Sequence, residues 1–211
     1  LALAARADPE LPLARLRARG ELLEIRADDL RFTEDETAAL LNGTMSLALA
    51  PTDIRALQHR TEGWAAGLHL AGLSLRSRPD PSAFIHAFAG DDRQIVDYLM
   101  AEVLDGLPAE IRAFLLRTSV LDRLSGPLCD AVAGGEGAQR ILEEMERSNL
   151  FLVRLDTRRR WYRYHHLFGD LLRHELDRAE PGLAAVLHRR AWEWHQAHGN
   201  LAEAIGHAIS A

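Results

Sequence analysis

Lysine is absent from this chain: every one of its 25 basic residues is arginine. A phosphate-binding loop of the G-x-x-x-x-G-K-[ST] type needs a lysine to reach the β- and γ-phosphates. The cluster Gly134-Gly135-Glu136-Gly137 therefore reads as a loop between helices, and these 211 residues alone hold no conventional P-loop ATPase. Cysteine is nearly absent too. The lone Cys129 excludes an internal disulfide and fits a reducing cytosol. No apolar run approaches the roughly 20 residues of a membrane span. The opening Leu1-Ala2-Leu3-Ala4-Ala5 is too short for a signal peptide and lacks its basic start. The expected setting is cytoplasmic, without membrane contact. The net charge of −6 argues against a chain-wide nucleic-acid surface. With no initiating Met, and with Ile209-Ser210-Ala211 stopping inside an amphipathic pattern, the chain is expected to be a piece of a longer protein.

What is present is mostly helical periodicity. Leu1–Ala5 reads as the end of a buried strand, Leu11–Arg19 as a short helix closed by Gly20, and Glu21–Phe32 as a strand region. Thr33 and Glu36 form a capping box for a helix that Asn42-Gly43 ends. Pro51 opens another, running to Thr61-Glu62-Gly63. Trp64–Leu75 carries Trp64, Leu68, Ala71 and Leu75 on one face, with small Gly67 and Gly72 allowing close packing. Phe84, Ile85 and Phe88 mark a short helix, and Ile95, Leu99 and Val103 a longer one.

From Leu107 the order changes. Helices at Pro108–Thr118, near Pro127–Val132 and at Ala138–Ser148 precede two strands, Leu150–Leu155 and Arg160–Tyr164, joined by Asp156-Thr157-Arg158-Arg159. Three helices followed by a hairpin is the order of a winged helix. Two more helices, Leu183–His198 and Asn200–Ser210, break at Gly199. The fold expected is mainly α with a small β component.

The segment Trp161-Tyr162-Arg163-Tyr164-His165-His166-Leu167-Phe168 delivers two histidines to the first turn of a helix. A helix N-terminus offers free backbone N–H groups and positive potential, which favour an anion such as phosphate. An imidazole there can donate to that anion and responds to pH near neutrality. The bland reading of His165 is a satisfied histidine at a strand-to-helix junction.

Four strings, 60–71 (RTEGWAAGLHLA), 115–124 (LLRTSVLDRL), 147–152 (RSNLFL) and 162–168 (YRYHHLF), resemble the large ATP-dependent bacterial transcription activators of the MalT and LuxR type, members of the signal-transduction ATPases with numerous domains. The resemblance covers essentially the whole chain. It implies a middle fragment. Residues 1–50 would be the last part of the ATPase core, 51–106 a helical lid, 107–180 a winged helix, and 181–211 the first TPR-like repeat helices of a sensor domain.

The resemblance also implies roles. Arg6 matches the family's sensor arginine, whose planar fork suits the γ-phosphate. Gly63-Trp64-Ala65 matches the Gly-Leu-Pro beside the adenine, with Ala65 in place of Pro, so Trp64 is a weak adenine candidate and reads first as a core ring with i+4 apolar neighbours. Tyr164-His165-His166-Leu167 matches the Met-His-Asp signature, in which the His touches the β-phosphate of ADP; His166 stands where the Asp would be. The cofactors implied are ADP or ATP with Mg in the longer protein, with none expected tightly bound to the fragment. The partners implied are the protein's own ATPase and repeat domains, a second copy in the active state, an inducer, and promoter DNA through a separate C-terminal domain. The fragment reads as a switch rather than an enzyme, with slow ATP hydrolysis left open for the longer protein. Two other readings stand beside it: an interaction scaffold without nucleotide control, and a regulator fused to a kinase or other effector.

No catalytic or metal-binding residue is expected. The wing arginines, Arg158, Arg159 and Arg160 with Arg154 and Arg163, could contact a DNA backbone. Glu143, Glu144 and Glu146 on the preceding helix oppose that, so the arginines read as a solvated tip or a docking face for acidic helices. His188, His195 and His198 read as surface histidines rather than metal ligands. Cys129 reads as a packing residue.

Overall fold

A computed structural model describes residues 2–5, 9, 11–76, 78, 80–87, 92–148 and 150–211. Arg6 and Phe88 lie outside the described residues. The chain divides into two compact units, one of residues 1–86 with 147–149 and the other of 87–146 with 150–211.

In the first unit, helix α1 (Leu13–Ala18) buries no residue, and the stretch from Gly20 to Phe32 is irregular apart from one 3-10 turn, Ala27–Leu30. The strands expected at Leu1–Ala5 and Glu21–Phe32 are not formed among the described residues. Their apolar side chains face water instead: Leu3, Leu23 and Ile25 are exposed. A strand needs a neighbour to pair its N–H and C=O groups, and no neighbour is described for them here. The core of this unit begins with α2 (Glu34–Ala38), opened by the expected Thr33/Glu36 capping box and extended by a π-turn over Ala39–Thr44. Helix α3 (Pro51–Thr61) starts with Pro at its first position and ends with Glu62 in the left-handed region. Trp64 caps α4 (Ala65–Leu75) rather than lying inside it. Leu41, Leu57, Leu68 and Ala71 are fully buried where the π-turn, α3 and α4 meet. Helix α5 (Pro81–Ala87) runs to the boundary of the unit at residue 86.

The second unit starts with α6 (Arg93–Leu99), which continues as a π-turn, Met100–Leu104. Then come α7 (Ala109–Thr118), α8 (Gly126–Ala133) and α9 (Ala138–Arg147), followed by strands β1 (Leu152–Arg154) and β2 (Tyr162–Tyr164). The strands pair antiparallel with Leu152 opposite Tyr164 and Arg154 opposite Tyr162. They are shorter than the sequence pattern suggests because Phe151, at φ 51°, takes the left-handed conformation and ends the ladder. A third segment, missed by periodicity, adds an edge: Leu124 and Tyr162 exchange both backbone hydrogen bonds, at 2.8 and 2.9 Å. Helix α10 (His166–Ala179) lays Leu167, Phe168, Leu171, Leu172 and Leu176 into the core beside α7. Helices α11 (Leu183–Ala197) and α12 (Leu201–Ser210) form a hairpin, and α11 also packs on α8. The fold is mainly α with a small two-stranded sheet.

Candidate functional site

The junction between β2 and α10 is built by alternation. Tyr162 and Tyr164 point into the core, so the chain arrives at α10 anchored by two buried rings. Tyr164 sends its hydroxyl to Thr118 of α7, 2.7 Å away, and its ring lies edge-on to Phe168 at 5.8 Å. Burial drives the Tyr164 phenol well above its ordinary pKa, so it stays protonated. The next residue, His165, is the N-cap of α10. Its N–H donates to the Phe151 carbonyl at 2.8 Å, and its carbonyl accepts from Gly169 at 2.9 Å. The imidazole is 4% exposed and meets the Phe151 ring edge-on at 5.7 Å. Its side chain makes no cap to the first-turn N–H groups of α10. His166 follows on the first turn and is partly exposed.

Trp64 belongs to the other unit. Its N–H donates to Thr61 at 2.8 Å, and its ring covers Gly67 so closely that a Cβ there would sit 2.5 Å from Cε3. Gly63, at φ +71°, is packed equally tightly: a Cβ would sit 2.5 Å from the Phe32 carbonyl oxygen. Phe32 donates to the Gly63 carbonyl at 2.8 Å, and Arg31 donates to the Glu62 carbonyl at 2.9 Å. The Gly63-Trp64-Ala65 turn is thus strapped down by residues 31–32, contacts that hold its shape without a ligand.

Among the described residues, two concavities open to solvent can be compared with these positions. One, of about 370 Å³, is lined by Thr52, Arg55, Ala56, His59, Arg60 and Ile85. The other, of about 170 Å³, lies among α7, α8 and α9 and includes Arg117, Asp130 and Glu136. Neither contains His165 or Trp64. The wing arginines point to acidic neighbours: Arg154 lies 3.4 Å and Arg159 3.5 Å from Glu146, and Arg160 lies 3.7 Å from Asp156. Arg158 is exposed at the tip. Cys129 is fully buried, as a packing residue should be.

The histidines regroup. Sequence spacing paired His195 with His198 as surface residues, but His195 is only 5% exposed. Its ring stacks parallel to that of His207 at 5.5 Å, and His207 Nδ1 lies 2.8 Å from His188 Nδ1. His207 was overlooked because it sits on the next helix. The available signal was the spacing of His188 and His195, seven apart and so on one face of α11, the face α12 covers.

Three helices followed by a hairpin and a Leu124 edge define a winged helix domain. Residues 100–184 match the family model of the MalT winged helix domain, and the similarity to MalT regulators extends to both sides of that match. It is 40% identical over 210 residues to the HTH-type transcriptional regulator MalT of Klebsiella pneumoniae, covering 96% of this chain and 23% of that protein. It is 39% identical over 217 residues to MalT of Serratia proteamaculans, covering all of this chain and 24% of the relative. It is also 43% identical over 201 residues to the serine/threonine-protein kinase PknK of Mycobacterium tuberculosis, covering 95% of this chain and 18% of the kinase. The chain thus spans less than a quarter of the length of these relatives.

Proposed function

We propose that this chain is the regulatory middle of a larger MalT-like protein, a nucleotide-gated switch that controls outputs carried by other domains. One observation carries the reading. The same segment recurs, at 39–43% identity over nearly its full length, in proteins named as transcriptional regulators and in one named as a protein kinase. A segment shared by proteins with different outputs is suited to control rather than to output.

Within that reading, His165 is the nucleotide sensor. It stands where α10 begins, and its own side chain leaves the first-turn N–H groups uncapped, an arrangement that favours a phosphate. With ADP bound, His165 would tie the winged helix to the β-phosphate and hold the protein closed. Arg6 and Trp64 would contact the γ-phosphate and the adenine, and Mg with the remaining phosphate ligands would come from an ATPase domain elsewhere in the longer protein. Exchange of ADP for ATP and inducer binding would open the protein for self-association and, in a regulator with a helix-turn-helix, for promoter binding. A hydrogen bond from the imidazole to the charged phosphate is worth about 1.5–3 kcal/mol, enough to bias such an equilibrium about tenfold or more. The setting is cytoplasmic.

The test is His165→Ala and His165→Gln in the full-length protein, reading ADP affinity and inducer-free output together. Weaker ADP binding with inducer-independent output supports the switch. Unchanged affinity and output remove His165 from the mechanism and favour a scaffold without nucleotide control. The segment alone is expected to bind ADP weakly or not at all, because most phosphate ligands would lie outside it; tight stoichiometric binding by calorimetry would overturn that account.

A further inference from the structure

We propose that His188, His195 and His207 make the α11–α12 hairpin a pH-sensitive clasp, closed while the imidazoles are largely neutral and released as they collect protons. The geometry states the condition for closure. With the two Nδ1 atoms of His188 and His207 at 2.8 Å, one nitrogen must donate and the other must accept. That bond tolerates one imidazolium and not two, since two would set N–H against N–H. The His195 ring lies flat against His207, with centroids 5.5 Å apart and planes 13° apart, so two cations there would repel. Asn200 Nδ2 approaches His195 Nδ1 at 3.4 Å, a contact that an unprotonated Nδ1 accepts.

The surroundings set the balance. Asp122, between α7 and α8, favours the charged forms of His188 and His207, and Glu203 on α12 favours those of His195 and His207. Arg173 of α10 opposes charge on His188, and His198 opposes it on His195. Burial outweighs these groups and holds all three rings below the ordinary value of 6.5. Folded-state values below the unfolded one mean that the opened form binds protons more readily. The clasp is therefore at full strength above about pH 6.5 and weakens as pH falls through that value toward the folded-state values.

Helix α12 is the element that would yield. It buries only Ala204 outright, while Leu201, Ile205 and Ile209 are 67, 61 and 82% exposed.

Amide hydrogen exchange of the chain, normalised for intrinsic rates, tests this between about pH 7.5 and about pH 5, the range over which histidine titrates. Protection across 201–210 is expected to fall about tenfold or more at the acid end, with α7 to α10 unchanged. Equal protection at both pH values, or loss in step with α7 to α10, overturns the proposal. His207→Gln, whose amide takes no proton, is expected to flatten the profile; an unaltered acid response in H207Q overturns it as well. Should H207Q fail to seat α12 at neutral pH, the ring-nitrogen shifts of the unaltered chain decide. Coupled steps below the ordinary value for His188 and His207 support the clasp, and independent titration at that value sinks it.

Discussion

Thr118 and Tyr164 share a buried hydrogen bond in which the direction is fixed. The single hydroxyl proton of Thr118 goes to the Phe114 carbonyl at 2.8 Å, so across the 2.7 Å contact the Tyr164 hydroxyl donates and Thr118 accepts. This bond ties the end of β2 to α7 one residue before His165. The two partners are therefore unequal under mutation. Tyr164→Phe removes the donor and leaves Thr118 still bonded to Phe114, at a cost of about 1 kcal/mol. Thr118→Val strands a buried phenol donor and costs about 1–3 kcal/mol. Urea unfolding of both variants checks the order, and a T118V variant no less stable than Y164F contradicts the assigned direction.

Gly63 and Gly67 answer to different obstacles. At Gly63 a methyl group meets the Phe32 carbonyl oxygen at 2.5 Å and backbone N at 2.9 Å, in a left-handed conformation. Backbone cannot step aside, so Gly63→Ala is expected to cost about 2 kcal/mol or more, from the left-handed penalty and lost strapping together. At Gly67 the obstacle is the Trp64 ring, which can rotate away. Gly67→Ala should cost about 1–3 kcal/mol and shift Trp64 fluorescence, a spectral change that G63A need not share. If G67A leaves the emission unchanged, the ring is not seated on Gly67.

How much of this was legible follows the range of the interactions. The α3 and α7 helices, the hairpin and the strand-to-helix junction at the two histidines rest on local periodicity and capping, and are legible in the sequence; that His165 is the N-cap and only His166 lies in the first turn is not. Pairing is another matter. Leu1–Ala5 and Glu21–Phe32 have the apolar content of strands, yet a strand exists only with a neighbour, and sequence does not say whether one is present. Leu124 presents the reverse case: no pattern marks it as an edge, and only its register with Tyr162 makes it one. His207 is harder to read for the same reason: its partner His188 lies across a helix pair rather than along one helix, and only the shared face of His188 and His195 hints at it. The wing arginines were legible as a basic cluster, but their pairing with Glu146 needed the fold.

Glu175 places a pH dependence on α10. It is buried, accepts two bonds from Arg178 at 2.7 and 3.0 Å, and faces Arg112 of α7 at 3.9 Å. The Arg178 bonds outweigh desolvation and hold the carboxyl below its ordinary 4.5. A folded value below the unfolded one gives stability that is complete above about pH 4.5 and lost as pH falls through the folded value. Glu175→Gln should therefore be less stable than the parent near neutrality, with the gap closing below that pH. Thermal melts at both ends of the range check it, and a constant gap means the carboxylate charge is not what the site uses.

Cys129 offers a reporter for opening of the winged helix. Burial, with Asp130 beside it, pushes its thiol up to about 12, and the residue is fully inaccessible although it borders the α7–α8–α9 cleft. Disulfide exchange needs both a thiolate and access, and the folded protein supplies neither. An aromatic disulfide reagent should leave Cys129 unmodified in the folded chain and react fully in denaturant. The slow rate in between should rise with urea in parallel with global unfolding, because α8 packs on both α7 and α11, and both must part from it before its centre is freed. Destabilising T118V should speed labelling by the factor its unfolding free energy dictates, about fivefold to more than a hundredfold for about 1–3 kcal/mol. Labelling that is fast in the absence of denaturant, or indifferent to T118V, would mean that α8 opens locally and that the buried seat of Cys129 is not held by the Thr118–Tyr164 core.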